Sequence, residues 1–317
     1  MIKTKILINS ILRNLGLDLF ALRMESNFRR WIFNRTKESE YPNYVTKRVL
    51  KDTGEIINLE NPETFNDKIK WMDLYDNSPI KAILSDKYQV KQWVAEKIGN
   101  EYVVPLYGVW GEVEEIDFSK LPNQFVLKSC RGAGSKNILI VKDKNKLNIK
   151  HTRKLLQEWI IVNKNFGMVT IKKHYWNIPS RIIAEKYLEY KENYLVDYKF
   201  FCFNGIPKII RVCTDRGSTD KRYTLDLEWK PLPFSFDEYP EIQNIPAKPE
   251  NFDKMVQLVK TLSKDFNFVR VDLYNLDGQI YFGEMTFSPQ WGGHVILPPE
   301  YNRVLGDMIN LPIENKK

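Results

Sequence analysis

Asn204–Gly205 separates two runs of alternating apolar residues, 196–203 and 206–212. Asn-Gly readily supplies the positive-φ positions of a two-residue turn, so it is the strongest short-range hairpin signal in the chain. Asp277–Gly278 repeats the arrangement between 268–275 and 279–286, and a third pair, 125–128 and 138–141, brackets a longer loop at 129–137. Residues 181–185 read as a further strand, and 103–110 as a short strand and turn. Helical spacing of apolar residues appears at 69–74, 85–98, 150–165 and 251–265, with Gly99–Asn100 stopping the second. The Tyr-, Pro- and Asn-rich stretch 41–44 and the Pro-rich stretch 231–249 read as loops. Antiparallel pairs with helices segregated from them predict an α+β protein.

The composition is that of a globular chain: 43% hydrophobic and 28% charged over 317 residues. Three cysteines, Cys130, Cys202 and Cys213, form no CxxC and suit buried thiols in a reducing, cytoplasmic compartment. Three histidines argue against a His-rich zinc site, and no basic-aromatic tract points to nucleic acid. Charge is uneven: residues 1–37 carry eight Lys or Arg against Asp18 and Glu25, a net +6 of the chain's +8. Apolar residues interleave with that charge without reaching the length of a membrane span. The segment fits either an amphipathic basic helix on an anionic membrane or partner, or a terminal helix packed on its own domain.

Three stretches carry chemistry. Lys128 ends a strand and runs into a loop with Gly132, Gly134 and Lys136. Such a loop lets backbone N–H groups and a strand-borne ammonium meet phosphate, although alone it fits an ordinary basic hairpin equally well. It lacks the P-loop and dinucleotide-fold signatures. In the last hairpin, side chains alternate with period two, so Arg270 and Asp272 share one face and Glu284 and Thr286 share one face of the partner strand. If the hairpin aligns them, two carboxylates point into one space and need a positive charge between them, which magnesium supplies economically. Asp197 and Lys199 share a face of their strand, and Arg211 follows in the next, fitting a phosphate-binding set or cross-strand ion pairs.

Taken in order, 85–91, 126–135, 184–188, 197–200 and 269–289 resemble the ATP-grasp superfamily, and most nearly its TupA-like group, associated with bacterial surface polysaccharides and teichuronopeptide-type polymers. The resemblance covers roughly 58–300 and implies an α+β ATP-grasp fold, the nucleotide held between two largely antiparallel sheets with flanking helices. It divides the chain into a basic N-terminal helical region (1–60), the N-terminal part of the ATP-grasp region (61–115), a central nucleotide-binding lid subdomain (116–190) and a C-terminal subdomain with the metal site (191–317). ATP and Mg2+ are the implied cofactors. Lys87 and Lys128 are expected at the phosphates, with Arg131, Gly132, Ala133, Gly134, Ser135 and Lys136 folding over them. Glu185, Lys186, Tyr187 and Leu188 are expected along the adenine, and Glu192 at the ribose. Lys199 and Arg211 would face the phosphates or the acyl group, and Arg270 the transferring phosphoryl. Asp272 and Glu284 would hold magnesium, with Thr286 standing where better-known relatives of this fold place an amide.

The implied activity is a carboxylate–amine ligase working through an acyl phosphate, joining an amine or amino acid to a uronic-acid carboxylate of a glycan or lipid-linked glycan. Gln290, Trp291 and His294, after the metal strand, are the expected acceptor contacts, with a core role for Trp291 as the alternative. An ATP-dependent kinase and a non-catalytic glycan-binding or scaffold protein are the competing classes. Asp272→Asn and Glu284→Gln are expected to abolish turnover with little loss of folding.

Overall fold

The computed structural model describes residues 18–312 apart from 77, 133–136, 166, 169–170, 191–194, 215–220 and 238–239. The chain forms two compact units. Unit 1 comprises residues 1–40, 86–88 and 105–187; unit 2 comprises 41–85, 89–104 and 188–317.

Unit 1 is built on a four-stranded antiparallel sheet in the order β1-β4-β2-β3, where β1 is Leu106–Trp110, β2 Phe125–Ser129, β3 Ile138–Val141 and β4 Ile182–Lys186. Alternation along the strands sorts the two faces. Phe125 and Leu127 of β2 and Ile182 and Ala184 of β4 face a core closed by Leu156 and Trp159 of the helix Ile149–Asn163. Lys128 and Glu185 therefore stand on the opposite face.

Unit 2 contains a five-stranded antiparallel sheet in the order β10-β9-β5-β6-β7: β5 Asp197–Phe203, β6 Ile206–Thr214, β7 Lys221–Leu225, β9 Phe268–Leu276 and β10 Gln279–Thr286. Asn204 and Asp277 both have positive φ, 50° and 49°, and each precedes a positive-φ glycine, as these turns require. One face packs Tyr198, Phe200, Val271 and Leu273 against the helix Phe252–Ser263. The other is divided: Phe201, Phe203, Ile209 and Phe268 lie under the helix Phe65–Tyr75, whereas Lys199, Arg211, Asp272 and Glu284 form a polar half.

Several local expectations change. Residues 41–44 open the helix Tyr41–Thr53 rather than forming a loop. Proline is tolerated in a first helical turn because its missing N–H would have no intrahelical partner there. The helix expected over 85–98 is found at Gln89–Ile98, and a separate short helix, Pro79–Ser85, precedes it. The break between them lies at Asp86, whose buried carboxylate accepts the Tyr88 N–H at 2.9 Å and pairs with Arg181. The Pro-rich loop contains β8, Ser235–Phe236, which pairs with β11, Ile296–Leu297. Among the described residues, no helix is long and apolar enough to cross a membrane.

Candidate active site

In unit 2, adjacent strands place Glu284, Asp272, Lys199, Arg211 and Thr224 opposite one another, so one transverse row crosses the whole sheet. The Lys199 Nζ lies 2.6 Å from both Asp197 Oδ2 and Asp272 Oδ2. Arg270 donates through Nε to Asp272 Oδ1 at 2.7 Å, and through Nη2 to Asp272 Oδ2 at 2.8 Å and Glu284 Oε1 at 2.7 Å. Burial alone would discharge Lys199, but Asp197 and Asp272 outweigh it and hold the ammonium above its usual value. Burial likewise opposes the Arg270 charge, and Asp272 and Glu284 overcome it. The cluster is thus a set of mutually compensated ions in a poorly hydrated place.

The alignment of Glu284 with Asp272 depends on Gly283. Strict alternation from the Asp277–Gly278 turn would place Glu284 opposite Val271, on the face that carries Ile280 and Phe282. A bulge between Phe282 and Glu284 pairs Glu284 with Asp272 and Thr286 with Arg270 instead. A Cβ on Gly283 would stand 3.0 Å from the Asp272 carbonyl oxygen, so glycine permits the close approach. The core-facing apolar residues shift frame with it, from Ile280 and Phe282 to Met285 and Phe287.

Asp272 and Glu284 already converge on a cation, the Arg270 guanidinium, and Thr286 Oγ1 lies 3.2 Å from Glu284 Oε1. Hard oxygen donors of this kind fit Mg2+. Among the described residues, no group of three or more His, Cys, Asp or Glu side chains is arranged to hold a metal ion. A metal here would have Asp272 and Glu284 as its carboxylate ligands.

In unit 1, Lys128 Nζ makes an ion pair with Glu185 Oε2 at 2.6 Å, on the face away from the core. Glu185, expected along the adenine, is buried and meets this lysine. Lys87 Nζ donates to the Gly132 carbonyl at 3.1 Å, bringing a second ammonium to the foot of the loop. Gly132 has φ 126°, and a Cβ there would meet Asn137 Nδ2 at 2.9 Å and Asn163 Oδ1 at 3.0 Å. Ala133, Gly134, Ser135, Lys136 and Glu192 lie outside the described residues.

Arg131 does not reach outward as expected. Its buried guanidinium donates to the Ile178 carbonyl at 3.1 Å, and burial lowers its pKa to about 10. The Lys186 N–H is taken by the Pro105 carbonyl at 2.9 Å, while its side chain is exposed; Tyr187 is half-buried and Leu188 buried. All three cysteines are buried and in no disulfide, and burial pushes the Cys130 thiol up to about 12, disfavouring the thiolate.

Beyond β10, Gln290 is exposed with φ 45°, and the Trp291 side chain lies outside the described ones. His294 is only 2% exposed, a correction to its expected acceptor contact. Its ring packs on Phe236, centroids 4.9 Å apart, and Nδ1 lies 2.9 Å from Asp237 Oδ2. Asp237, absent from the sequence expectations, also lies 3.9 Å from Arg211 Nη1. Its position in a Pro-rich loop gave no periodic signal to read.

Two antiparallel sheets, one with a strand-end lysine at a glycine loop and the other with a buried carboxylate–cation row, are those of an ATP-grasp protein. The sequence profile of the TupA-like ATPgrasp family matches residues 67–310, and the chain belongs to that family. A search of curated protein sequences gives no match.

Among solved structures, the D-alanine–D-alanine ligase from Bacillus anthracis is 18% identical, with 72% of this chain and 66% of that one covered at a TM-score of 0.42. The biotin carboxylase domain of the Hydrogenobacter thermophilus 2-oxoglutarate carboxylase, solved with MgADP, ADP and bicarbonate, is 17% identical, with 73% and 47% covered at 0.46. The N5-carboxyaminoimidazole synthetase from Staphylococcus aureus, complexed with ADP, is 14% identical, with 73% and 53% covered at 0.42. The chain thus spans less than two thirds of the length of each.

Proposed function

We propose that the protein is an ATP-dependent ligase that joins an amine to a carboxylate through an acyl phosphate. The observation that carries this reading is the row Glu284–Asp272–Lys199–Arg211 with Arg270 across it, two carboxylates set beside fixed cations. In the first step a substrate carboxylate oxygen attacks the γ-phosphorus of ATP, the bond to the β-phosphate oxygen breaks, and ADP leaves. An amine nitrogen then attacks the acyl carbon, the bond to phosphate breaks, and phosphate departs while the nitrogen gives up a proton. Lys128 and Lys87 hold nucleotide phosphates, Arg270 takes the charge of the transferring phosphoryl, and Lys199 and Arg211 orient anionic oxygens. Magnesium, when held by Asp272 and Glu284, supplies charge neutralisation at the phosphate oxygens.

The family's association with surface polymers makes a uronic-acid carboxylate of a glycan or its lipid-linked precursor the first acceptor to test, with an amino acid as the amine. The decisive experiment supplies Mg-ATP, a panel of uronic-acid glycans and hydroxylamine. A hydroxamate, with ADP release, is expected. A phosphorylated sugar without hydroxamate would instead mark a kinase, and absence of Mg-ATP binding a non-catalytic protein.

The basic N-terminal segment completes the reading by resting on an anionic membrane at the cytoplasmic face. Support comes from the helix Asp18–Phe33, where Phe20, Met24 and Trp31 are about half exposed at 54%, 50% and 49%. Arg23 and Arg30 are exposed on the same helix, and the Arg35 guanidinium lies 3.8 Å from the Trp31 ring centroid. Apolar side chains interleaved with arginines suit an interface with acidic headgroups. In vesicle sedimentation, phosphatidylglycerol should retain the protein and pure phosphatidylcholine should not. Replacing Phe20, Met24 and Trp31 together by Ser should weaken retention at least about tenfold; unchanged retention would refute the contact.

A further inference from the structure

We infer that Asp237 and His294 are positioning residues for Arg211, and through it for the substrate carboxylate; the inference rests on the ligase reading above. Arg211 stands on the charged row, but its guanidinium is anchored from a different element. Nη2 donates to the Phe236 carbonyl at 2.6 Å, the guanidinium lies 5.7 Å from the Phe236 ring centroid, and Nη1 lies 3.9 Å from Asp237 Oδ2. At 3.9 Å the carboxylate acts on Arg211 through its charge rather than through a hydrogen bond.

Asp237 is itself held with care. Its backbone is left-handed, φ 67°, an arrangement that persists in a non-glycine residue only where surroundings enforce it. The Asp237 N–H donates to the Val295 carbonyl at 2.6 Å, and the Val295 N–H donates to Asp237 Oδ1 at 3.2 Å. Oδ2 meets His294 Nδ1 at 2.9 Å. The His294 ring is packed between Phe236 and Phe65, and its buried Nε2 has no hydrogen-bond partner among the described residues. A proton on Nε2 would be buried without an acceptor, so the ring carries its proton on Nδ1 and donates it to Asp237. Burial lowers the imidazole pKa despite Asp237, in keeping with a neutral ring. A neutral donor fixes the carboxylate while leaving its negative charge for Arg211.

An arginine side chain free to sample rotamers would lose that freedom on each binding event. Anchoring it beforehand removes the loss from binding and places the guanidinium where an anionic oxygen is taken. The pathway runs from His294 to Asp237 to Arg211, so damage at His294 should act only through Asp237.

The test compares Asp237→Ala, His294→Leu, the double variant, and His294→Asn, whose amide keeps an N–H donor near the place of Nδ1. Asp237→Ala should raise KM for the carboxylate substrate about tenfold and leave KM for ATP within about twofold. His294→Leu should give a smaller rise of about threefold to fivefold, and His294→Asn should recover most of it. The double variant should be no worse than Asp237→Ala. Equal losses for both substrates that follow the melting temperature, or additive losses in the double variant, would make the trio a structural clamp and overturn the inference. Side-chain 15N spectra of arginine-labelled protein address the same point without turnover, with the Arg211 Nε signal identified from Arg211→Lys. That signal should report a rigid side chain in the wild type and His294→Asn, and a mobile one in Asp237→Ala and His294→Leu. A signal unchanged by Asp237→Ala refutes positioning even if the wild type proves inactive, whereas a mobilised one in an inactive protein refutes only the ligase reading.

Discussion

Asp272→Asn is expected to lower turnover by at least about a thousandfold and also to destabilise unit 2. The second effect departs from the expectation drawn from sequence, which treated both carboxylates as functional groups of little structural weight. Asp272 is 2% exposed and is the shared counter-ion of Arg270 and Lys199. A carboxamide keeps the shape but leaves two buried cations short of charge. Removing one partner of a buried ion pair costs about 3–5 kcal/mol, the lower end applying here because Asp197 still meets Lys199 and Glu284 still meets Arg270. For a unit of this size, a loss near ~3 kcal/mol lowers the melting temperature by roughly 6–12 °C.

Glu284→Gln separates the two effects. The Glu284 side chain, on the edge strand, is 34% exposed and pairs with Arg270. Its loss should change stability by less than about 1 kcal/mol while turnover falls by about a hundredfold or more. Calorimetry and ATP turnover on the two variants check this contrast. Full turnover in Asp272→Asn would remove the charged row from the chemistry, and unfolding in Glu284→Gln would make that carboxylate structural.

The second large effect is expected at Lys128. Lys128→Met should weaken nucleotide binding about tenfold to a hundredfold, the loss of one charge-assisted phosphate contact. It should also destabilise unit 1 by about 3 kcal/mol, because Glu185, with 6% of its side chain exposed, is left without the ammonium 2.6 Å away. Adding Glu185→Gln to Lys128→Met should return most of the stability, since the buried carboxylate that lost the Lys128 ammonium is gone, and none of the nucleotide affinity. Titration with a nucleotide analogue and thermal melts on the single and double variants distinguish the outcomes. If the double variant binds nucleotide like the wild type, Lys128 does not hold phosphate and the pair is structural.

Much of the frame was legible from residues because its determinants are local. Asn204–Gly205 and Asp277–Gly278 demand positive φ and therefore set two antiparallel pairs, both found. The apolar run 125–128 was legible as a strand, and it forms β2. Proline at 42 misled for an equally local reason, since the same residue suits a loop and a first helical turn. The helix read across 85–98 is present but starts only at Gln89, because Asp86 is fixed by Arg181, a residue far along the chain, and local periodicity contains no trace of that partner.

The hairpin that carries Asp272 and Glu284 shows where the two kinds of information divide. Sequence by itself determined that both carboxylates lie on adjacent strands joined by a tight turn, and that Lys199 and Asp197 share a face. Only the tertiary structure decided that Glu284 faces Asp272, because one extra residue at Gly283 changes the parity of everything after it, and parity depends on cross-strand pairing. Only the tertiary structure decided that His294 is buried behind Asp237 rather than offered to an acceptor, and that Glu185 meets Lys128. Turn chemistry and alternation act over a few residues and are written in the chain. Ion pairs and burial are set by residues distant in sequence, and exist only once the sheets have formed.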